Sequence, residues 1–196
     1  MTEETPADRH RRVATIFTER VRGARDWDVP APVDGWTARD VVAHLTTWFP
    51  GFLAAAGVAL APGPDVDADP VGAWEAQVAA VQALLDDPVT AGRTIENPHL
   101  GAMTLAGATD MIYTSDVFMH TWDLARATGQ DDRLDPAFCA RLLDGMAAME
   151  DAIRASGQYG ARVPVPDDAD AQTRLLGFIG RDPAWRPGGR GGSENP

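Results

Sequence analysis

Apolar residues in this chain return every three or four positions over long runs. That spacing suits helices packed against helices and little else. Between about residues 7 and 25 they are Val13, Ile16, Phe17 and Val21. Val41, Val42, Leu45 and Trp48 follow behind Thr37-Ala38-Arg39-Asp40, a threonine N-cap with an acid three positions on, close to a capping box. Trp74, Val78, Val81 and Leu85 mark a third run over about 71–85. The longest extends from about Leu105 to Thr128 and meets Gly129 where a C-cap is expected. A fifth, over about 136–155, opens on Pro136, a residue suited to a first helical turn.

Proline, glycine and aspartate break the chain at 27–36 and 61–70, and Asn97-Pro98-His99-Leu100-Gly101 reads as a turn in a possible small β-hairpin. Beyond Gly157 the chain reads as extended through Val163-Pro164-Val165-Pro166, with a short helix near 169–180. These signals predict a mainly α protein, a four-helix bundle with short additional helices. One domain is expected over 1–186, with 187–196 as a disordered tail.

Charge narrows the partners. With 17 basic and 29 acidic residues the net charge is -12, so neither a phosphate backbone nor an anionic membrane surface is an expected partner. Every basic residue is arginine; without lysine, Schiff-base and P-loop chemistry are excluded. Cys139 is the single cysteine, which excludes an internal disulfide, and its apolar surroundings mark it as a small core residue. No formal charge falls between Asp40 and Asp65, but His44, Thr46, Thr47, Pro50, Gly51 and Gly57 interrupt that segment. It reads as a buried bundle helix and not a membrane span. The acidic, polar Met1-Thr2-Glu3-Glu4 start is no signal peptide, and the expected location is cytoplasmic.

Two residues of the longest run raise a chemical question. Asp116 and His120 are four apart, about 40° around the helix axis, in a sector shared with Ile112, Tyr113, Val117, Met119 and Leu124. A buried carboxylate costs several kcal/mol unless it is paired or ligates a cation. A hydrogen-bonded Asp–His pair satisfies that condition, and so does a metal. His44 is also set in an apolar pattern, on another helix, and bundles build metal sites from inward side chains on facing helices. Two imidazoles and a carboxylate suit zinc, nickel, manganese or ferrous iron.

Other polar residues have simpler readings. Asp123, three after His120, is either its outer hydrogen-bond acceptor or an exposed partner of Arg126. Asp40 is explained by its cap, His10 among arginines reads as surface, and His99 stands in a loop that could reach a site mouth. Trp36, Trp48 and Trp122 read as core in preference to a stacking platform, and Tyr113 as core in preference to a hydroxyl donor.

The segment Gly35-Trp36-Thr37-Ala38-Arg39-Asp40-Val41-Val42-Ala43-His44-Leu45 resembles the first signature of mycothiol-dependent maleylpyruvate isomerase-like metal-binding proteins of the DinB/YfiT type. Asp116-Val117-Phe118-Met119-His120-Thr121-Trp122-Asp123-Leu124-Ala125 resembles the second, and the stretch from Val163 to Pro183 resembles an actinobacterial branch of that group. The resemblance implies a divalent metal, zinc foremost, held by His44, Asp116 and His120, with aspartate where many relatives carry glutamate. It implies a small-molecule thiol, mycothiol, as cosubstrate alongside an electrophile, and possible homodimers.

Isomerases of the group add a C-terminal domain that 196 residues leave no room for. Thiol transfer or isomerase-like chemistry is therefore expected in place of maleylpyruvate isomerisation itself. A non-catalytic, stress-related metal-binding bundle is the alternative.

Overall fold

The computed structural model describes residues 4–97 and 101–188. Helix α1 (Pro6–Gly23), α2 (Ala38–Ala55) and α3 (Pro70–Asp86) come first, followed by the short α4 (Pro88–Ala91). Strands β1 (Thr94–Asn97) and β2 (Gly101–Thr104) pair antiparallel, Ile95 opposite Met103, as the predicted hairpin. The long helical stretch is α5 (Leu105–Ala108), a π-helical segment (Thr109–Thr114) and α6 (Ser115–Thr128). Helices α7 (Pro136–Ala147), α8 (Glu150–Ala155) and α9 (Ala171–Phe178) complete the chain. The fold is mainly helical, as expected, and no described helix is long and apolar enough to cross a membrane.

Local chemistry explains the boundaries. Thr37 accepts from the Asp40 N–H while the Asp40 carboxylate accepts from the Thr37 N–H, closing the predicted capping box at the start of α2. Gly129, at φ 69°, ends α6 in the left-handed conformation that glycine adopts without Cβ strain. The long run differs from a plain helix at 109–114, where i→i+5 hydrogen bonding inserts a residue. Polar side chains accompany the irregularity: the Ser115 hydroxyl donates to the Asp110 carbonyl at 3.3 Å. A second difference lies at residues 148–149, where the expected fifth helix divides into α7 and α8.

Helix α1 packs on α3, α6 and the π segment, and α2 packs on α3 and α6. Phe17 meets Trp74 edge-on at 4.5 Å between α1 and α3, and Phe49 of α2 stacks on Tyr113 at 4.0 Å. Helices α7 and α9 pack together beside this bundle, with Phe138 of α7 at 4.4 Å from Phe118 of α6. Cys139 is buried in that second group, and burial raises its thiol pKa to about 12, consistent with an inert core residue.

His10 overturns its surface reading. It lies on the same face of α1 as Val13, Ala14, Phe17 and Val21, and is fully buried. The arginines beside it point away because neighbours in sequence are about 100° apart on a helix. Its Nδ1 is 3.0 Å from Thr114 Oγ1, and its ring is 5.8 Å from Tyr113. Burial first, and then the Arg11 charge, lower its pKa from 6.5 to about 4.

The unfolded chain therefore binds a proton that the folded chain refuses between those values. Stability is full above about pH 7 and falls as pH drops through the window, with about 2 kcal/mol lost between roughly pH 7 and pH 5. Urea unfolding at the two pH values measures this, and His10→Gln is expected to flatten the difference.

Candidate metal centre

Helices α2 and α6 pack against one another and contribute one turn each to the centre. His44 and Trp48 are i,i+4 on α2; Asp116 and His120 are i,i+4 on α6. His44 Nε2 stands 3.0 Å from Asp116 Oδ2, and His120 Nε2 stands 3.4 Å from Asp116 Oδ1. One donor atom from each of the three residues lies within 4.8 Å of the other two. A tetrahedral ion with bonds of about 2.0 Å puts donors about 3.3 Å apart, close to the two histidine-to-Asp116 separations, which involve different oxygens of that carboxylate.

The three predicted residues thus converge, although His44 and Asp116 are 72 positions apart along the chain. Their exposure is graded: the His120 side chain is 7% exposed, that of Asp116 18%, and that of His44 31%. The centre therefore opens on the His44 side.

Hydrogen bonds around the trio decide what its atoms present. Asp123 is fully buried, and its Oδ2 is 2.8 Å from His120 Nδ1. A carboxylate only accepts, so that contact assigns the ring proton to Nδ1. In neutral His120 the Nε2 lone pair then faces Asp116, a second acceptor, across 3.4 Å. Two acceptors so placed repel unless a cation, proton or metal, lies between them.

Asp116 also accepts from the Trp48 indole N–H at 3.0 Å. Burial raises its carboxyl, but His120, His44 and the Trp48 donor outweigh that and hold it below the usual carboxylate value. Asp123 behaves alike: burial raises it, while Arg181 and His120 bring it below its usual value. Arg181 binds Asp123 with both arms of its fork, Nε at 2.9 Å and Nη2 at 3.1 Å. Of the two readings of Asp123, the outer acceptor for His120 is the one observed, and Arg126 pairs instead with Asp132 at 2.7 Å.

Two tryptophans read as core belong to the centre. Trp36, on the loop before α2, lies nearly parallel to His120 at 5.6 Å and tilted to His44 at 5.1 Å. Trp48 is tilted to His44 at 6.1 Å, and both indoles are half-buried. Trp122 is fully buried, as expected. So is Tyr113, whose hydroxyl donates to the Leu45 carbonyl at 3.1 Å and away from the trio.

Spacing could have revealed Trp48, one turn after His44 on the same face. Trp36 shares the Gly35–Leu45 signature with His44 but has no helical periodicity to place it, and no sequence signal ties the distant Arg181 to the centre. His99, considered for the site mouth, lies outside the described residues, as does the tail beyond Gly188.

A helical bundle carrying two imidazoles and a carboxylate on facing helices defines a class of candidate metal-site protein. Within that class, the chain belongs to the mycothiol maleylpyruvate isomerase N-terminal domain family, whose profile matches residues 10–125. The matched span includes His44, Asp116, His120 and Asp123 but not Arg181. The chain is also similar to an uncharacterized protein of Mycobacterium tuberculosis, found in two strains. Identity is 27% over 184 residues, covering 90% of this chain and 97% of the relative. No solved structure matches.

Proposed function

We propose that His44, Asp116 and His120 hold one divalent cation, foremost zinc, with nickel, manganese or iron as alternatives. The protein on this reading uses the ion in thiol S-transfer with mycothiol, or in an isomerase-like reaction assisted by that thiol. The observation that carries the reading is His120 held between two carboxylates, with Asp123 on Nδ1 and Asp116 facing Nε2. A bound divalent ion converts that opposition into coordination. It also supplies Lewis acidity, which favours the thiolate over the thiol as the nucleophile.

The chain's own residues do the rest. His44 and His120 offer Nε2 lone pairs, and Asp123 with Arg181 fixes the tautomer and orientation of His120. Trp48 holds one oxygen of Asp116 by its N–H, which limits rotation of the shorter aspartate side chain. Trp36 covers the ring of His120 and shields it from water. Among the described residues the convergent donor set comprises three ligands, which leaves a position for an incoming group. A non-catalytic holding site would close that position with a fourth protein ligand.

Two outcomes check the reading. Metal-loaded protein given mycothiol and an electrophile is expected to form the conjugate, and a chelator is expected to return the rate to that of buffer. Conjugation indifferent to chelator, or none at all, refutes the transferase reading. Replacing Trp48 by phenylalanine removes the donor to Asp116 and is expected to weaken metal binding about ten-fold, measured by competition with a chromophoric chelator.

A further inference from the structure

The proposed centre opens where His44 is exposed, and that opening is framed by the half-buried indoles of Trp36 and Trp48. The arginines of the two helices that build the centre, and Arg181 behind it, are already engaged. Helices α2 and α6 carry a single arginine each. Arg39 is held by Asp28 at 3.3 Å and by the Asp67 carbonyl at 2.9 Å. Arg126 is held by Asp132 at 2.7 Å and the Pro183 carbonyl at 3.0 Å. Arg181 spends both arms of its fork on Asp123. The whole chain bears a net charge of -12, which opposes the approach of a dianion.

Charge counting points the same way. A divalent ion with one ligating aspartate leaves a single positive charge, which one thiolate cancels. Added carboxylates would then sit unpaired beside partly buried side chains.

We propose that the molecule bound over the open side of this centre is an uncharged aromatic or alicyclic compound lying on the Trp36 indole, and not a polycarboxylate. The proposal rests on the metal reading above and names the ligand class of that same site. Trp36 suits the task because its half-buried ring is already held nearly parallel to His120 at the opening.

The test compares two alkyl thiols, benzyl mercaptan and mercaptosuccinate, on cobalt(II)-loaded protein, where thiolate-to-cobalt absorption reports binding. Benzyl mercaptan is expected to bind at least ten-fold tighter. Trp36→Ala is expected to erase that preference and Trp36→Phe to retain most of it. Taking the ratio of dissociation constants within one protein cancels any change in the hold on cobalt itself. Equal or tighter binding of mercaptosuccinate to the unaltered protein overturns the proposal, and so does a preference unchanged in Trp36→Ala. Failure to take up cobalt is a separate result that overturns the metal reading. The same two thiols are then compared on the metal-free protein by quenching of indole fluorescence, and lack of preference for the benzyl compound there overturns this proposal as well.

Discussion

Substituting His120 by alanine is expected to lower divalent-metal affinity by two orders of magnitude or more. Free energies of roughly 12 kcal/mol for a zinc site shared over four ligands put about 3 kcal/mol on each, which corresponds to on the order of a hundred-fold. His120 should exceed that average. Its ring is placed by Asp123 on one edge and by the Trp36 face, so little reorganisation is left for the moment of binding. Equilibrium dialysis against a buffered metal checks this. Affinity within a factor of three of the unaltered protein would mean that His120 is no ligand. Stability is a useful companion measurement, because the variant also strips Asp123 of one partner.

Arg181→Ala is expected to produce the largest loss of stability. Asp123 is fully buried, and the arginine supplies the charge that compensates it at two short contacts. Breaking a buried ion pair from one side leaves an uncompensated charge, a loss of about 3 kcal/mol at the lower end of such cases. The lower end applies because His120 still faces the carboxylate. For a chain of this size that corresponds to a fall in melting temperature of about 6–12 °C. Arg181→Lys, which keeps the charge but loses the fork, should fall between. A melting temperature unchanged by Arg181→Ala would show that the pair contributes no net stability.

What could be read before the fold was known divides along physical lines. Helical periodicity and caps are local, so the helices, the Thr37–Asp40 box and the Gly129 stop were legible. The inward placement of Asp116, His120 and His44 followed from their apolar surroundings. The π segment was not legible, since an inserted residue in the hydrogen-bond ladder leaves the composition of the run unchanged. His10 was misread from its arginine neighbours, whereas its helical neighbours Ala14 and Phe17 carry the relevant information. Trp36 and Arg181 reach the centre from a loop and from the segment after α9, and such tertiary placement leaves no periodic trace.

The arrangement also distributes the two chemical demands of the centre. On the proposed metal reading the donor atoms come from α2 and α6, which are packed together. Groups that orient them come from the next turn of the same helices, Trp48 on α2 and Asp123 on α6, and from Arg181 on a distant segment. Outer groups of this kind set ligand orientation and basicity without touching the ion. Variation there would alter affinity and reactivity while leaving the three donors in place.

The central claim is that one ion is chelated by three side chains distant in sequence, and an anomalous-scattering map of zinc-soaked crystals tests it most directly. The account predicts a single strong peak about 2.0–2.2 Å from Nε2 of His44, Nε2 of His120 and a carboxylate oxygen of Asp116. A peak bound elsewhere, or no peak at this trio under saturating zinc, would contradict it.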